Sequence, residues 1–206
     1  VLLTKKPTLL LLKNLATAIH EKGTPGLLWK RRFKGTHTSL CGEQPLNEGE
    51  TAVTQTINIE RHRRGKTLDW KNIKKEIETT LAQLERFPAK NKRIALSIRS
   101  VQETLDALTL PYDSQRGRTI AQTILKKVTA LAGTTCLAPG AIDAPKGTHW
   151  NDQLAMQESC QRAITESIST TITLSKRTTK KEIENIIITA DKKKLKGITI
   201  YKNTYT

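Results

Sequence analysis

Cys41 stands two residues before Glu43 in the stretch THTSLCGEQPL, Thr36 to Leu46, between a basic run and a Pro-Leu step. A thiol is a nucleophile or, after loss of one electron and its proton, a radical centre, and a nearby carboxylate can serve it as acid or base. On an extended loop alternate side chains point the same way, so this pair can address one face of one ligand. A second segment with chemical potential is APKGT, Ala144 to Thr148. Pro145, Lys146, Gly147 and Thr148 make a turn whose amides and ammonium group could cradle a phosphate. His149 follows at once, but no serine or cysteine stands at a matching spacing, which favours a structural role for it. No metal signature accompanies these groups: none of His20, His37, His62 and His149 has a histidine four residues away, and Cys41, Cys136 and Cys160 show no CxxC spacing.

Charge is the other source of chemistry. Lys and Arg number 35 against 19 Asp and Glu, a net charge of +16 on 206 residues. Repulsion of that size opposes compaction unless a polyanion relieves it, which points to nucleic acid or an anionic membrane surface. The cations fall in clusters. Lys30, Arg31, Arg32 and Lys34 form the first, and Arg61, Arg63, Arg64 and Lys66 the second. Lys74 and Lys75 follow, with Lys71 beside them, then Lys92 and Arg93. Arg116 and Arg118 make another, and Lys192, Lys193 and Lys194 the last. Aromatic residues are 4% of the chain, too few for a base-stacking platform, and no helix-turn-helix or zinc finger pattern is present. Contact with DNA or RNA is therefore expected to be through the backbone, independent of sequence. No membrane partner is expected: the run Leu9 to Leu12 is too short to span a bilayer and no signal-peptide pattern follows it. The odd cysteine count argues for a reducing, intracellular compartment.

The elements that must position these groups read as alternating helix and strand. Leu9 to Lys22 has helical spacing and stops at Gly23, and TPGLLW then turns into a short strand. AVTQTINIER alternates as a strand, and RHRRGK is a basic turn. Asp69 caps a helix whose Trp70, Ile73, Ile77, Leu81 and Leu84 share a face. KRIALSIR is the clearest strand; helices follow over 101–108 and 114–131, and a flexible Gly- and Pro-bearing loop over about 133–151. Asn151 or Asp152 is expected to cap a helix running to Ile168. ISTTITL, a helix over 179–193 and the strand KGITIYK close the chain. The alternation predicts a single α/β domain over 1–206.

Several of these stretches together resemble ribonucleotide reductases, most closely the adenosylcobalamin-dependent class. EKGTPGLLW resembles the family's Gly-x-Pro-Gly segment, SLCGEQPL its Asn-x-Cys-x-Glu finger loop, and QTINIER the strand after it. LDWKNIKKEIETTLAQLERF resembles the helix that follows, and NKRIALSIRSVQETLDALTLPYDS the Asn-Arg-Arg-Ile-Gly strand with its Pro-Tyr-Asp-Ser step. APKGT resembles the Pro-x-Gly-Thr phosphate loop, and MQESCQRAITESISTTITL and LKGITIYKN the closing segments. The resemblance implies a helix-rich α/β fold with a mixed sheet, derived from part of a ten-stranded α/β barrel. It also implies that Cys41 matches the radical cysteine and Glu43 the base.

Departures from the family pattern change the functional expectation. Ser39 replaces the finger-loop asparagine, and Ala52 stands where the strand ending at Asn58 should carry a partner cysteine. Ala95, Ser97 and Ser100 fill glycine positions, with Arg99 beside them. A thiyl radical without a reducing cysteine pair cannot complete turnover. The expectation is a non-catalytic, basic structural protein that holds nucleic acid as a packaging or nucleoprotein component, without a cofactor. Unpaired strand edges of a part-barrel favour a homo-oligomer. The alternative is a ribonucleoside di- or triphosphate reductase, or a subunit of one, with adenosylcobalamin as cofactor.

Overall fold

The computed structural model describes residues 1–32, 35–39, 42–133, 135–137 and 142–202. In chain order the elements are β1 (Leu2–Leu3), α1 (Leu9–Lys22), β2 (Leu27–Trp29), β3 (His37–Thr38), β4 (Pro45–Leu46) and β5 (Thr51–Asn58). Then come β6 (Arg63–Arg64), β7 (Thr67–Leu68), α2 (Trp70–Arg86), β8 (Lys92–Arg99), α3 (Val101–Ala107) and α4 (Gln115–Ala132). β9 (Cys136–Leu137), α5 (Trp150–Gln161), β10 (Thr171–Leu174), α6 (Lys180–Lys192) and β11 (Gly197–Lys202) complete the set. Short 3-10 turns at Lys30–Arg32 and Ile59–His62 follow β2 and β5.

Local chemistry sets the helix ends. Thr8 accepts from the Leu11 amide to start α1, and Gly23 ends it in the left-handed conformation at φ 67°. Asp69 caps α2 through the Asn72 amide at 3.1 Å, Ser114 caps α4 through the Gly117 amide at 2.9 Å, and Thr179 with Glu182 forms a reciprocal capping box on α6. α5 departs from expectation at both ends. His149, not Asn151 or Asp152, is the cap, its Nδ1 accepting from the Asn151 amide, and the helix stops at Gln161 rather than reaching Ile168. Beyond it the backbone is claimed by other elements: the Glu166 amide donates to Leu137 O and the Ser167 amide to Glu43 O. Ala163, Ile164 and Ile168 are buried along the way.

Two sheets carry the core. One has the order β1-β2-β11-β10, with β1 parallel to β2, β2 antiparallel to β11 and β11 parallel to β10. The other is β5-β8-β9, parallel throughout, with Thr51 to Asn58 in register with Lys92 to Arg99. Ile19, Trp29, Ile183, Ile187, Ile198 and Ile200 pack α1 and α6 onto the first sheet. Ile57, Ile73, Ile77, Leu96, Ile98 and Leu125 pack α2 and α4 onto the second. α5 serves both, giving Leu154 to the first core and Met156 and Cys160 to the second. This is the mixed, helix-rich α/β arrangement the sequence predicts. Arg93 on β8 meets the buried Glu166 at 2.9 Å and ties the second sheet to the segment leading into β10. None of the described helices is long and apolar enough to cross a membrane.

Candidate functional site

The finger loop is a hairpin. β3 and β4 pair antiparallel, His37 opposite Leu46 and Thr38 opposite Pro45, and the chain between them turns at Gly42, φ 71°. Cys41 lies outside the described residues, so the loop is read from its neighbours. Ser39 spends its hydroxyl within the loop, accepting from the Gln44 amide at 3.2 Å, while its own amide donates to Gln44 O at 2.9 Å. Gln44 is buried; its Nε2 donates to Arg93 O at 2.7 Å and its Oε1 accepts from Thr54 at 3.1 Å. Thus the hairpin is bolted to β5 and β8 on one side, and Gly42 lies against Leu28 of β2 on the other.

Glu43 is half-buried, and its carboxylate accepts from the Ser169 hydroxyl. Burial pushes its pKa above the ordinary carboxylate value; the Ser169 hydrogen bond and the Arg99 guanidinium pull the other way and do not cancel it. Because the folded-state pKa is raised, the stability associated with the neutral acid is full below the unfolded value and fades as pH rises through the folded value. Glu43→Gln is therefore expected to gain on the parent in urea midpoint as pH climbs from about 4 to about 7, since glutamine stays neutral. A midpoint difference that stays constant over that range would mean that Glu43 titrates normally.

Two clefts bear on the candidate groups, and the first is lined in part by this loop. One, of about 500 Å³, is lined by Gly26, Leu28, Thr38, Gly42, Ser169 and Thr199 among others. The second, of about 590 Å³, opens at the carboxyl ends of β5 and β8 and is lined by Asn58, Arg99, Ser100, Glu103, Asp106, Asp143 and Pro145 among others. Ser100 holds a left-handed φ of 66° there, in a position where glycine is usual. The APKGT turn borders this second cleft. Gly147 has φ 89°, Lys146 is exposed, and the Thr148 hydroxyl and amide both donate to Pro145 O, at 2.7 and 3.1 Å. Arg99 is outnumbered in this cleft by Glu103, Asp106 and Asp143, which oppose an anion. Since His149 already engages an amide of the first turn of α5, that helix end offers less to a phosphate than the sequence pattern suggests.

No protein-family model matches the chain. In an alignment of 157 positions that covers 65% of the chain, it is 23% identical to vitamin B12-dependent ribonucleoside-diphosphate reductase of Mycobacterium tuberculosis, from strains CDC 1551 and H37Rv alike. Its fold superposes on the Actinobacillus ureae class Id ribonucleotide reductase alpha subunit with a TM-score of 0.73 at 12% identity, over 95% of this chain. The chain is homologous to part of a ribonucleotide reductase. It spans under a quarter of the length of the curated reductases it matches, and 61% of the solved alpha subunit.

The positions singled out against the reductase pattern can be placed in the fold. Ala52 sits on β5 opposite Arg93 and presents a methyl group where a partner thiol is expected. Ala95 and Ser97 are buried on β8, so the space that glycines would leave there is filled. Asn58 caps the 3-10 turn after β5, its Oδ1 accepting from the Glu60 amide at 3.0 Å. Cys160, the thiol described in full, is buried, and burial pushes its pKa up to about 12, so it is no nucleophile.

The cationic clusters divide into structural and free groups. In the first cluster Arg31 and Arg32 both pair with Asp191, Arg32 also donates to Leu195 O at 2.8 Å, and Lys30 donates to Gly35 O; Lys34 lies outside the described residues. Arg93 pairs with Glu166, Lys193 with Glu158, and Arg118 with Asp152 at 3.8 Å, while Lys92 donates to the carbonyls of Glu85 and Phe87. Arg116, Lys192 and Lys194 are exposed. The second and third clusters are linked at the cap of α2, where the Asp69 amide donates to His62 O at 2.8 Å and Arg64 of β6 approaches the Asp69 carboxylate. Arg63 is held by Glu60 at 2.5 Å, Arg64 reaches Asp69 only at 3.8 Å, and Lys74 reaches Glu78 at 3.7 Å. Arg61, Lys66, Lys71 and Lys75 are exposed. Lys127 of α4 joins this face, its Nζ 4.1 Å from the Trp70 ring centre. Spacing along the chain gave no sign of Lys127; only the packing of α2 on α4 brings it there.

Proposed function

We propose that the chain is a non-catalytic, reductase-derived protein that binds the backbone of DNA or RNA through the cationic face around Trp70. The observation that carries this reading is the set of exposed cations at the start of α2: Arg64 reaches its cap Asp69, Lys71, Lys74 and Lys75 lie on its first turns, and Lys127 of α4 lies over Trp70, with exposed Arg61 and Lys66 on the segment just before α2. The surface ion pairs among them are long and solvent-exposed, so they contribute little and yield to phosphate. Ser39 and Ala52 in place of reductase side chains support the loss of catalysis. Affinity for a random-sequence duplex is expected to fall linearly on a log–log plot with salt. The triple substitution Lys71→Glu, Lys74→Glu, Lys75→Glu is expected to lower the magnitude of that slope by about 2 to 3, roughly one counterion per lost contact. A salt-independent affinity, or a triple variant that binds as the parent does, would overturn the proposal.

One observation favours the reductase reading instead: Glu43 is held half-buried beside a cleft with its pKa raised, as an acid–base residue requires. Formation of deoxyribonucleotide by the purified chain with ribonucleotide, a dithiol reductant and adenosylcobalamin, abolished by Glu43→Gln, would establish it.

A further inference from the structure

We infer that the indole of Trp70 is a stacking site for one unpaired nucleobase, with Lys127 as its displaceable cover. The inference deepens the nucleic-acid reading and rests on it: it names single-stranded DNA or RNA as the substrate class. Trp70 opens α2, is half-buried, and packs against the core of the second sheet. Over its ring lies the ammonium group of Lys127, 4.1 Å from the ring centre, on the exposed side chain of a residue of α4. Among the described residues that ammonium has no ion pair or hydrogen bond, so the ring alone holds it. The two helices that make the arrangement are internal to the chain and pack on each other.

The chemistry around the ring selects the occupant. An aromatic face covered by one flexible cation can exchange that cation for another flat group, and a nucleobase is a flat group that brings its own anion. When the base stacks, the adjoining phosphate meets the displaced Lys127 ammonium and the cations at the start of α2. Lys74 lies four residues from Trp70 on the same helix face, and Lys71 and Lys75 are exposed on the same two turns. Arg64, its side chain 70% exposed, stands at the cap with the Asp69 carboxylate 3.8 Å away. That carboxylate is already engaged, accepting from the Asn72 amide at 3.1 Å and the Asn72 side chain at 2.8 Å, and Glu78 reaches Lys74 only at 3.7 Å in solvent. A base stacked on an aromatic ring is worth more than an exposed cation–π contact, so the exchange is favourable. An aromatic ligand without a phosphate would gain the ring but strand the ammonium, and a duplex offers phosphates without a free base face. An unpaired nucleotide uses both. Aromatic residues at 4% of the chain provide no track for successive bases, so each chain takes one.

Indole fluorescence tests this, with the nuclease-treated chain titrated by a short oligothymidylate, an oligouridylate and an abasic deoxyribose-phosphate backbone, all of equal length. The two base-bearing strands should quench part of the emission and bind at least about fivefold more tightly than the abasic backbone. A fully paired duplex should bind without quenching. Trp70→Leu should abolish the quenching and bring the oligothymidylate down to the affinity of the abasic backbone. Lys127→Ala should lower the magnitude of the salt slope by about one. Quenching by one of the two strands alone would name its sugar as the one accepted. Equal affinity for the oligothymidylate and the abasic backbone, or quenching that survives Trp70→Leu, would overturn the inference and leave phosphate binding standing. Failure of every strand to bind, the duplex included, would remove both. If Trp70→Leu does not fold, the comparison with the abasic backbone decides alone.

Discussion

Trp29→Ala is expected to cost about 3–5 kcal/mol, a large fraction of the roughly 5–15 kcal/mol that holds a domain together. Trp29 is fully buried in the core between the first sheet and its helices. The Arg32 guanidinium lies 5.4 Å from its ring centre and reaches on to Asp191 and Leu195, so removing the ring also loosens the tie between the 3-10 turn and the end of α6. Trp29→Phe should cost much less. The indole Nε1 is buried without a hydrogen-bond partner, and removing an unsatisfied donor returns about 1–3 kcal/mol against the lost contact area. Urea unfolding checks both: alanine should shift the midpoint strongly at constant slope, and phenylalanine weakly. Equal losses for the two substitutions would mean that the indole nitrogen is satisfied in solution.

Gly117→Ala should also destabilise, by about 1–3 kcal/mol, against the helix-propensity scale. Gly117 lies in the first turn of α4, where alanine would ordinarily gain up to about 1 kcal/mol. A Cβ there would stand 2.2 Å from the Pro111 carbonyl oxygen and 3.1 Å from Ser114 Oγ. That oxygen is fixed backbone: it accepts from the Ser114 amide at 3.1 Å and the Ser114 hydroxyl at 2.7 Å, and Ser114 is the cap of α4. Relieving the overlap would move the turn that seats buried Tyr112, whose hydroxyl donates to Ile142 O at 3.3 Å. The overlap and the cap together outweigh the propensity gain. A raised midpoint for Gly117→Ala would show that the turn gives way freely.

Helix boundaries were legible at most ends that a local side chain settles, the start of α5 excepted, where His149 caps in place of Asn151 or Asp152. Thr8, Asp69, Ser114 and Thr179 each satisfy an amide within four residues, and such contacts are written in the spacing alone. α5 was misread because its end is decided from a distance. Nothing local stops a helix at Gln161; the amides of Glu166 and Ser167 are drawn to Leu137 and Glu43, residues far away in the chain. The same distinction applies to charge. Runs of lysine and arginine are visible in one dimension, but Asp191, Glu158 and Glu166 neutralise several of them from other elements, and Lys127 joins Trp70 only through helix packing.

By itself the sequence determined the alternation of helix and strand, the Asp69 cap, the cationic surplus and the ordered resemblance to reductase segments, because each rests on residue type and short-range spacing. Tertiary structure alone decided which cations are drawn into ion pairs and that Glu43 is a half-buried acid facing Ser169 rather than a solvated one. Those are properties of neighbours contributed by remote segments, and desolvation and pairing depend on the neighbours, whatever the residue's own identity.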